Sequence, residues 1–278
     1  MEMKGEFLGE GAGALVYAWG DGQVAKVFKP EQGLGSAGYE AIVTAVVHAS
    51  GAPCARIEAI EVVDGRPALI MRRLQGRTLL DLMLDGRATG DDVVRALAQA
   101  SWDLHGPRFV APALQTIQDY VRNCDWELER AGVPGDLRAA VQDRARAMPV
   151  CDTIVHGDLH PGNTVMTAGG PVLIDWTSAM RADPMVDVAR TYLTLAVFPI
   201  ADAIFGPSFD KEGFLVARPS LGQAFLEAYA SLAGLPSEQL TERMGPWLPI
   251  MGLIRLREDV TAEGDVQVMT RYVRERLS

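Results

Sequence analysis

Cysteine is scarce in this 278-residue chain, and several other familiar signals are missing. There are three cysteines and no CxxC pair, which argues against a disulfide framework and against a zinc ribbon. The four histidines form no HExxH motif. No basic segment leads into an apolar stretch near residue 1, and the longest apolar run, residues 192–201, is too short to cross a bilayer. We therefore expect a reduced, cytoplasmic compartment and no membrane partner.

Basic residues are also fewer than acidic ones. The chain has 26 Lys and Arg against 36 Asp and Glu, so its formal net charge is −10. Such an acidic chain is a poor partner for nucleic acid. Hydrophobic residues make up 48% and charged residues 22%, the balance of a globular protein long enough for one large or two small cores.

The pattern of apolar residues changes type along the chain. Alternation over residues 5–30, with a hairpin signal at 20–22, predicts three short strands. A helix is expected over 38–50, and two more strands over 57–63 and 67–71. Later elements are predicted as helices around 93–104, 116–131, 135–147, 221–232 and 266–277, with short strands at 164–167 and 171–174. The prediction is an α+β, two-lobed protein: a small β-rich N-lobe, residues 1–73, and a larger, mainly helical C-lobe, residues 74–278.

The most informative stretch is His-Gly-Asp-Leu-His-Pro-Gly-Asn at residues 156–163, followed by Asp175 in Ile-Asp-Trp. Magnesium prefers oxygen ligands, which Asn163 and Asp175 would supply. Asp158, five residues before Asn163, suits an acceptor for the proton of an attacking hydroxyl group. The intervening Pro-Gly turn directs Asn163 back toward Asp158. These residue types are what phosphoryl transfer from a magnesium-bound nucleotide needs.

This stretch resembles the catalytic loop of protein kinases and, in its detailed form, that of the aminoglycoside phosphotransferase and choline kinase family. The resemblance runs through most of the chain and is weakest from residue 200 onward. It implies a bilobal protein-kinase-like fold that uses ATP or GTP with Mg²⁺. It also implies that Asp158 is the catalytic base and that Asn163 and Asp175 hold the metal.

The first quarter of the chain fits the same resemblance. Gly9, Gly11 and Gly13 lack side chains, so their backbone N–H groups can approach phosphates. A strand follows them rather than a helix, which excludes a dinucleotide-binding fold, and no GxxxxGK loop is present. By resemblance, Lys26 contacts the α- and β-phosphates, and Glu40 in the next helix pairs with Lys26.

Four further residues take roles by resemblance. The carbonyl group of Arg72 and the amide group of Leu74 would face the adenine edge at the crossover between the lobes. Asp187 would hydrogen-bond the backbone of the catalytic loop, and His156 would pack that loop. Each residue alone has an ordinary alternative, such as a surface lysine, a core histidine or an acid at a helix N-terminus. Their joint occurrence favours the kinase-like interpretation.

The nature of the acceptor is less constrained. Only eleven residues separate Asp175 from Asp187 and no Ala-Pro-Glu occurs, so a protein substrate is disfavoured. Residues 202–265 contain ten acidic and five basic residues. We expect a cationic small-molecule acceptor, such as an aminoglycoside or a basic peptide antibiotic, contacted by Glu258 and Asp259, although a merely solvated acidic surface explains the excess equally well. The alternatives are a kinase of choline, homoserine or a sugar-like metabolite and a catalytically silent nucleotide-binding protein; no obligate protein partner is inferred.

Overall fold

Secondary structure divides the chain into a sheet-rich first quarter and a helix-rich remainder. The computed structural model describes residues 5–11, 13–106, 109–200, 204–205, 209–257 and 263–277. In these ranges no helix combines the length and the apolar character needed to cross a membrane.

Five antiparallel strands form the N-terminal sheet in the order β1-β2-β3-β5-β4. The strands are β1 (Phe7–Glu10), β2 (Ala14–Trp19), β3 (Gln23–Phe28), β4 (Ile57–Val63) and β5 (Arg66–Arg72). Helix α1 (Gly33–Ala49) connects β3 to β4. It begins five residues before the predicted start, because the glycine-rich segment at its N-terminus hides the helical pattern. The expected hairpin joins β2 to β3, with positive φ angles at Gly20 and Gly22.

Alternation along β3 sets the direction of its side chains. Ala25 and Val27 are buried on one face of the sheet, in a cluster with Val63, Ala68 and Ile70. Phe28 is buried on the opposite face with Ala37 of α1. Lys26 shares this second face with Phe28, and the strand therefore delivers its ammonium group toward α1.

The C-terminal part of the chain is built around a buried helix, α7. The helices are α2 (Leu79–Leu84), α3 (Gly90–Leu104), α4 (Ile117–Asn123), α5 (Asp125–Arg130), α6 (Gly135–Ala147), α7 (Met185–Ala196), α8 (Lys211–Ala233), α9 (Ser237–Met244), α10 (Leu248–Arg255) and α11 (Glu263–Leu277). Nine of the twelve residues of α7 are buried. Helices α8, α9 and α10 pack against it, so α7 is the internal support of this part of the molecule.

Short strands complete the fold beside α7. They are β6 (Gly76–Thr78), β7 (Ile154–Val155), β8 (Thr164–Thr167), β9 (Gly170–Leu173) and β10 (Met180–Arg181). Strands β6, β8 and β9 form one sheet, and β7 pairs with β10. The loop of residues 156–163 thus connects β7 to β8.

Two further helix predictions differ from the structure. The single helix expected over 116–131 is two helices that meet at Cys124. The helix expected from 221 begins at Lys211 and contains Pro219. Pro219 is the ninth residue of α8, where a proline ordinarily indicates an end of a helix rather than its interior.

Candidate active site

The backbone of the 156–163 loop is anchored by a buried carboxylate. Asp187, in the first turn of α7, accepts hydrogen bonds from the N–H groups of His156 and Gly157, both at 2.7 Å. Its Oδ2 atom also lies 3.1 Å from Nε2 of His105. Because a carboxylate only accepts, Nε2 of His105 donates to Asp187, and Nδ1 of the same ring lies 2.8 Å from the Tyr229 hydroxyl oxygen. Asp187 is fully buried, so these bonds are shielded from water.

Gly157 meets a second, steric requirement. Its φ angle is +77°, in the left-handed region that favours glycine. A Cβ atom at this position would lie 2.2 Å from the carbonyl oxygen of Ser178. The loop therefore reaches Asp187 only with glycine at position 157.

The carboxylate of Asp158 projects from this anchored backbone. Arg190 donates to its Oδ1 atom from Nη2 at 2.5 Å and from Nε at 3.1 Å. Its Oδ2 atom accepts from Nδ2 of Asn163 at 3.2 Å and lies 3.6 Å from Nε2 of His160. Burial disfavours the charged form of Asp158, but Arg190 and His160 outweigh burial and hold its pKa well below the usual range. Asp158 is therefore ionised, and one quarter of its side chain is exposed.

Asn163 and Asp175 are brought side by side by the backbone. The Ile174 N–H group donates to the carbonyl oxygen of Asn163 at 2.9 Å. Nε2 of His156 lies 2.9 Å from the carbonyl oxygen of Ile174 and donates to it, because Nδ1 of the same ring accepts from the Asp158 N–H group. Nδ2 of Asn163 faces Asp158, which leaves Oδ1 as the atom that can bind a cation.

Asp175 is held in an unusual conformation. Its φ and ψ angles are 61° and 72°, left-handed values that are uncommon outside glycine. Oδ1 accepts from the Thr177 hydroxyl group at 2.8 Å, and Oδ2 lies 3.2 Å from Nζ of Lys26. Burial raises the pKa of Asp175, but Lys26 and Thr177 outweigh this effect and leave it below its usual value.

Lys26 links the sheet, α1 and the segment after β9. Its Nζ atom lies 2.8 Å from both carboxylate oxygens of Glu40, so the pairing expected from the sequence is present. Burial lowers the pKa of Lys26, but the carboxylates of Asp175 and Glu40 outweigh it and raise the pKa above its usual range. The nearby Lys29 pairs with Glu10 instead, at 2.6 Å.

The remaining predicted residues lie outside this cluster of contacts. Gly9 lies in β1, and Gly11 and Gly13 lie between β1 and β2. Arg72 is the last residue of β5 and pairs with Gln23, and Leu74 lies in the connection that follows. The two predicted acceptor contacts, Glu258 and Asp259, lie outside the described residues.

Three residues of the site, Arg190, His105 and Thr177, are not among those predicted from the sequence. Arg190 carries the clearest signal in retrospect, because a charged residue three positions after Asp187 in an apolar helix shares a face with it. His105 lies 82 residues from Asp187 in the sequence, so only the fold connects the two.

The oxygen atoms of Asn163 and Asp175 suit a hard cation. Within the described ranges, no group of three or more His, Cys, Asp or Glu side chains is arranged to hold a metal ion. Magnesium commonly takes only one or two protein ligands and completes its shell with phosphate and water. The donor set therefore fits Mg²⁺ delivered with a nucleotide and does not fit a structural zinc ion.

Comparisons with known proteins agree with this geometry. The sequence model of the phosphotransferase enzyme family matches residues 4–241. The uncharacterized protein YcbJ of Bacillus subtilis (strain 168) is 29% identical over 119 residues, which cover 37% of this chain and 39% of that protein. The match thus spans well under half of that relative.

Solved structures of low sequence identity share the fold. A putative fructosamine-3-kinase from Haemophilus somnus 129PT has a TM-score of 0.61 at 15% identity, covering 99% of this chain and 92% of that chain. A choline/ethanolamine kinase family protein from Mesorhizobium loti has a TM-score of 0.57 at 16% identity, covering 99% and 86%. The streptomycin–ATP–APH(2")-IIa ternary complex has a TM-score of 0.55 at 15% identity, covering 99% and 90%. The predicted bilobal protein-kinase-like fold is confirmed.

Proposed function

We propose, from the premise that the chain belongs to the phosphotransferase enzyme family, that it transfers the γ-phosphate of ATP or GTP to a hydroxyl group of a small molecule. One observation carries the proposal. Side chains from β3, α1, the 156–163 loop and the segment after β9 form two adjacent groups, Lys26–Glu40–Asp175 and Asp158–Asn163. They supply the cation, the metal ligands and the base that phosphoryl transfer requires.

Each residue then takes a defined part. Asp158 orients the acceptor hydroxyl group and receives its proton. Asn163 and Asp175 would hold Mg²⁺, which would supply neutralisation of the phosphate charge. Lys26, kept in place by Glu40, binds the α- and β-phosphates. Their supports, His156 and Asp187, fix the shape of the loop.

The nucleotide completes the assignment of the two lobes. We place the nucleotide-binding lobe at residues 1–73 and the catalytic and acceptor-binding lobe at 74–278. The backbone around Gly9, Gly11 and Gly13 would cover the phosphates, and the Arg72 carbonyl and Leu74 amide groups would meet the base. The ternary complex of the similar APH(2")-IIa contains ATP, which supports nucleotide use here.

The acidic charge of the chain favours a positively charged acceptor molecule. The net charge of −10 and the acidic excess over residues 202–265 support an aminoglycoside or a basic peptide antibiotic. The same ternary complex contains streptomycin. A metabolite acceptor is the second candidate, since the other two similar structures are named as choline/ethanolamine and fructosamine kinases.

A transfer screen tests the acceptor class. Purified protein, Mg²⁺ and γ-labelled ATP or GTP are incubated with aminoglycosides, basic peptide antibiotics, choline, homoserine and sugars. Higher kcat/KM with a polycationic antibiotic supports the proposal. Faster phosphorylation of a neutral acceptor excludes the cationic class but retains the kinase. Tight nucleotide binding without transfer to any acceptor favours the silent nucleotide-binding alternative.

Substitution of the base tests the reaction itself. Asp158→Ala should lower kcat about 1000-fold, within the range for loss of a general base, and leave nucleotide affinity unchanged. Asp143→Ala is the matched control, because Asp143 is exposed on α6 and pairs with Arg146 in its own helix. Near-normal turnover of Asp158→Ala would remove Asp158 from its role.

A further inference from the structure

Helix α7 holds the 156–163 loop at three successive points. Asp187 binds the backbone N–H groups of His156 and Gly157, and Thr191 donates from its hydroxyl group to the carbonyl oxygen of Leu159 at 2.9 Å. Arg190 lies on the same helix and reaches the side chain between these anchors, that of Asp158. Of the three, only Arg190 acts on a group that the proposed reaction uses.

Arg190 donates to one carboxylate oxygen of Asp158, and the other oxygen has different neighbours. The two hydrogen bonds that Arg190 donates to Asp158, from Nη2 at 2.5 Å and from Nε at 3.1 Å, both end on Oδ1. Oδ2 of Asp158 faces Asn163 and His160 instead. Two donors on a planar guanidinium group define a direction as well as a charge, so they set the rotation of the Asp158 carboxylate.

Packing immobilises the guanidinium group. Arg190 is 2% exposed, and its Cζ atom lies 5.2 Å from the centre of the Phe198 ring, which is equally buried. The guanidinium group of Arg255 lies 5.6 Å from the centre of the same ring. The carboxylate of Asp158, by contrast, is 25% exposed. The Asp158 carboxylate therefore has the buried guanidinium group of Arg190 on one side and is open to solvent on the other.

We propose that Arg190 is a positioning residue that presents Oδ2 of Asp158 to the acceptor hydroxyl group. This assignment rests on the proposed function. In the step it serves, the acceptor O–H bond breaks and its proton moves to Oδ2. The acceptor oxygen forms a bond to the γ-phosphorus, and the bond from that phosphorus to the leaving nucleoside diphosphate breaks.

A double-mutant cycle separates this role from a merely structural one. Arg190→Gln should lower kcat about 100-fold, the effect of a small misplacement of a reacting group, with nucleotide affinity within threefold of wild type. In an Asp158→Ala background the same substitution should lower kcat no further, because there is no carboxylate left to position. The readouts are hydrolysis of Mg·ATP with water as phosphate acceptor, and calorimetric binding of a non-hydrolysable ATP analogue.

Arg218 provides the matched control. It is also a buried arginine that contacts the end of α7, but its guanidinium group donates to the carbonyl oxygens of Thr194, Leu195 and Phe198. Arg218→Gln should lower the free energy of unfolding and change kcat equally in both backgrounds. Should Arg190→Gln fail to fold, Arg190→Lys takes its place, with Arg218→Lys as control. Lysine keeps the charge but loses the two-pronged contact, so an intermediate kcat, about tenfold below wild type, is expected.

The outcomes are distinct. A kcat of Arg190→Gln within threefold of wild type, or an equal fall in both Asp158 backgrounds, overturns the positioning role and leaves the proposed function intact. Absence of any hydrolysis or transfer by the wild-type protein overturns the proposed function and this assignment with it.

Discussion

The two ends of the candidate site are held in different ways. At one end, the backbone of the 156–163 loop is bound by buried side chains of α7, and Gly157 fits against Ser178 with no spare room. At the other end, β1 is mostly exposed, and the turn before β2 is held by backbone bonds such as Gly11 N–H to Ala14 carbonyl at 2.9 Å. An added Cβ atom at Gly9 would have no neighbour within 4 Å.

The difference matches the parts that we propose for the two ends in phosphoryl transfer. The groups that meet the reacting atoms gain from being fixed in advance, since misplacement lowers the rate steeply. Backbone that wraps a flexible triphosphate gains from adjusting to it, and such segments come from the less stable parts of a fold. The same substitution should therefore have different consequences at the two ends.

The largest effect is expected from Asp187→Ala. Removing this carboxylate leaves three buried donors, on His105, His156 and Gly157, without their acceptor. We expect the free energy of unfolding to fall by about 3–5 kcal/mol, measured by urea denaturation, with loss of turnover. Asp183→Ala is the control, since it removes the acceptor of one hydrogen bond, from the Met185 N–H group, and should cost about 1 kcal/mol. Equal effects of the two substitutions would show that the loop is not held from α7.

Gly157→Ala comes next. The left-handed φ angle and the 2.2 Å approach to Ser178 should together lower the free energy of unfolding by about 2–4 kcal/mol. Turnover should fall with it, because the Asp158 backbone shifts. Thermal or urea unfolding together with a kinetic assay measures both. A variant as stable and as active as wild type would show that the 156–163 loop does not require glycine at position 157.

Glu40→Gln tests the connection between the two ends. Lys26 would lose its carboxylate partner on α1 but keep Asp175. A hydrogen bond between charged groups contributes about 1.5–3 kcal/mol, so we expect kcat/KM for Mg·ATP to fall about 10- to 100-fold. Glu31→Gln, at an exposed position outside any helix, is the control and should leave kcat/KM unchanged. If both variants behave alike, Glu40 does not support Lys26 in binding phosphate.

The smallest effect is expected from Gly11→Ala. An added Cβ atom would come no closer than 3.8 Å to the Ala14 carbonyl oxygen, so the free energy of unfolding should stay within about 0.5 kcal/mol of wild type. Nucleotide affinity should weaken by about tenfold or less, because a methyl group hinders one backbone contact to phosphate. If Gly11→Ala lowered the free energy of unfolding as much as Gly157→Ala, the two ends of the site would be equally sensitive to an added Cβ atom.

Local sequence patterns predict much of the fold. Neighbouring residues are enough to predict the alternation in β2 and β3, the glycine turn between them and the periodicity of α3 and α6. Strands β6, β7 and β10 have only two or three residues, and their partners lie far along the chain, so no local pattern marks them. The break at Cys124 is equally hidden, because the residues on both sides favour helix.

The site divides in the same way. The spacing from Asp158 to Asn163 and Asp175 indicates the proposed chemistry, in which those side chains meet one metal-bound phosphate. Arg190 could not be assigned from spacing, since its contact with Asp158 depends on how α7 packs beneath the loop. The predicted acceptor contacts, Glu258 and Asp259, rest on charge alone and remain a prediction.

We propose that Lys26, Asp158, Asn163 and Asp175 serve a single metal-bound triphosphate. A crystal structure with Mg²⁺ and a non-hydrolysable ATP analogue tests this arrangement. We expect that oxygen atoms of Asn163 and Asp175 bind the metal, that Lys26 contacts the α- and β-phosphates, and that Asp158 faces the γ-phosphate. A nucleotide bound elsewhere, or a metal ion that touches neither Asn163 nor Asp175, would contradict it.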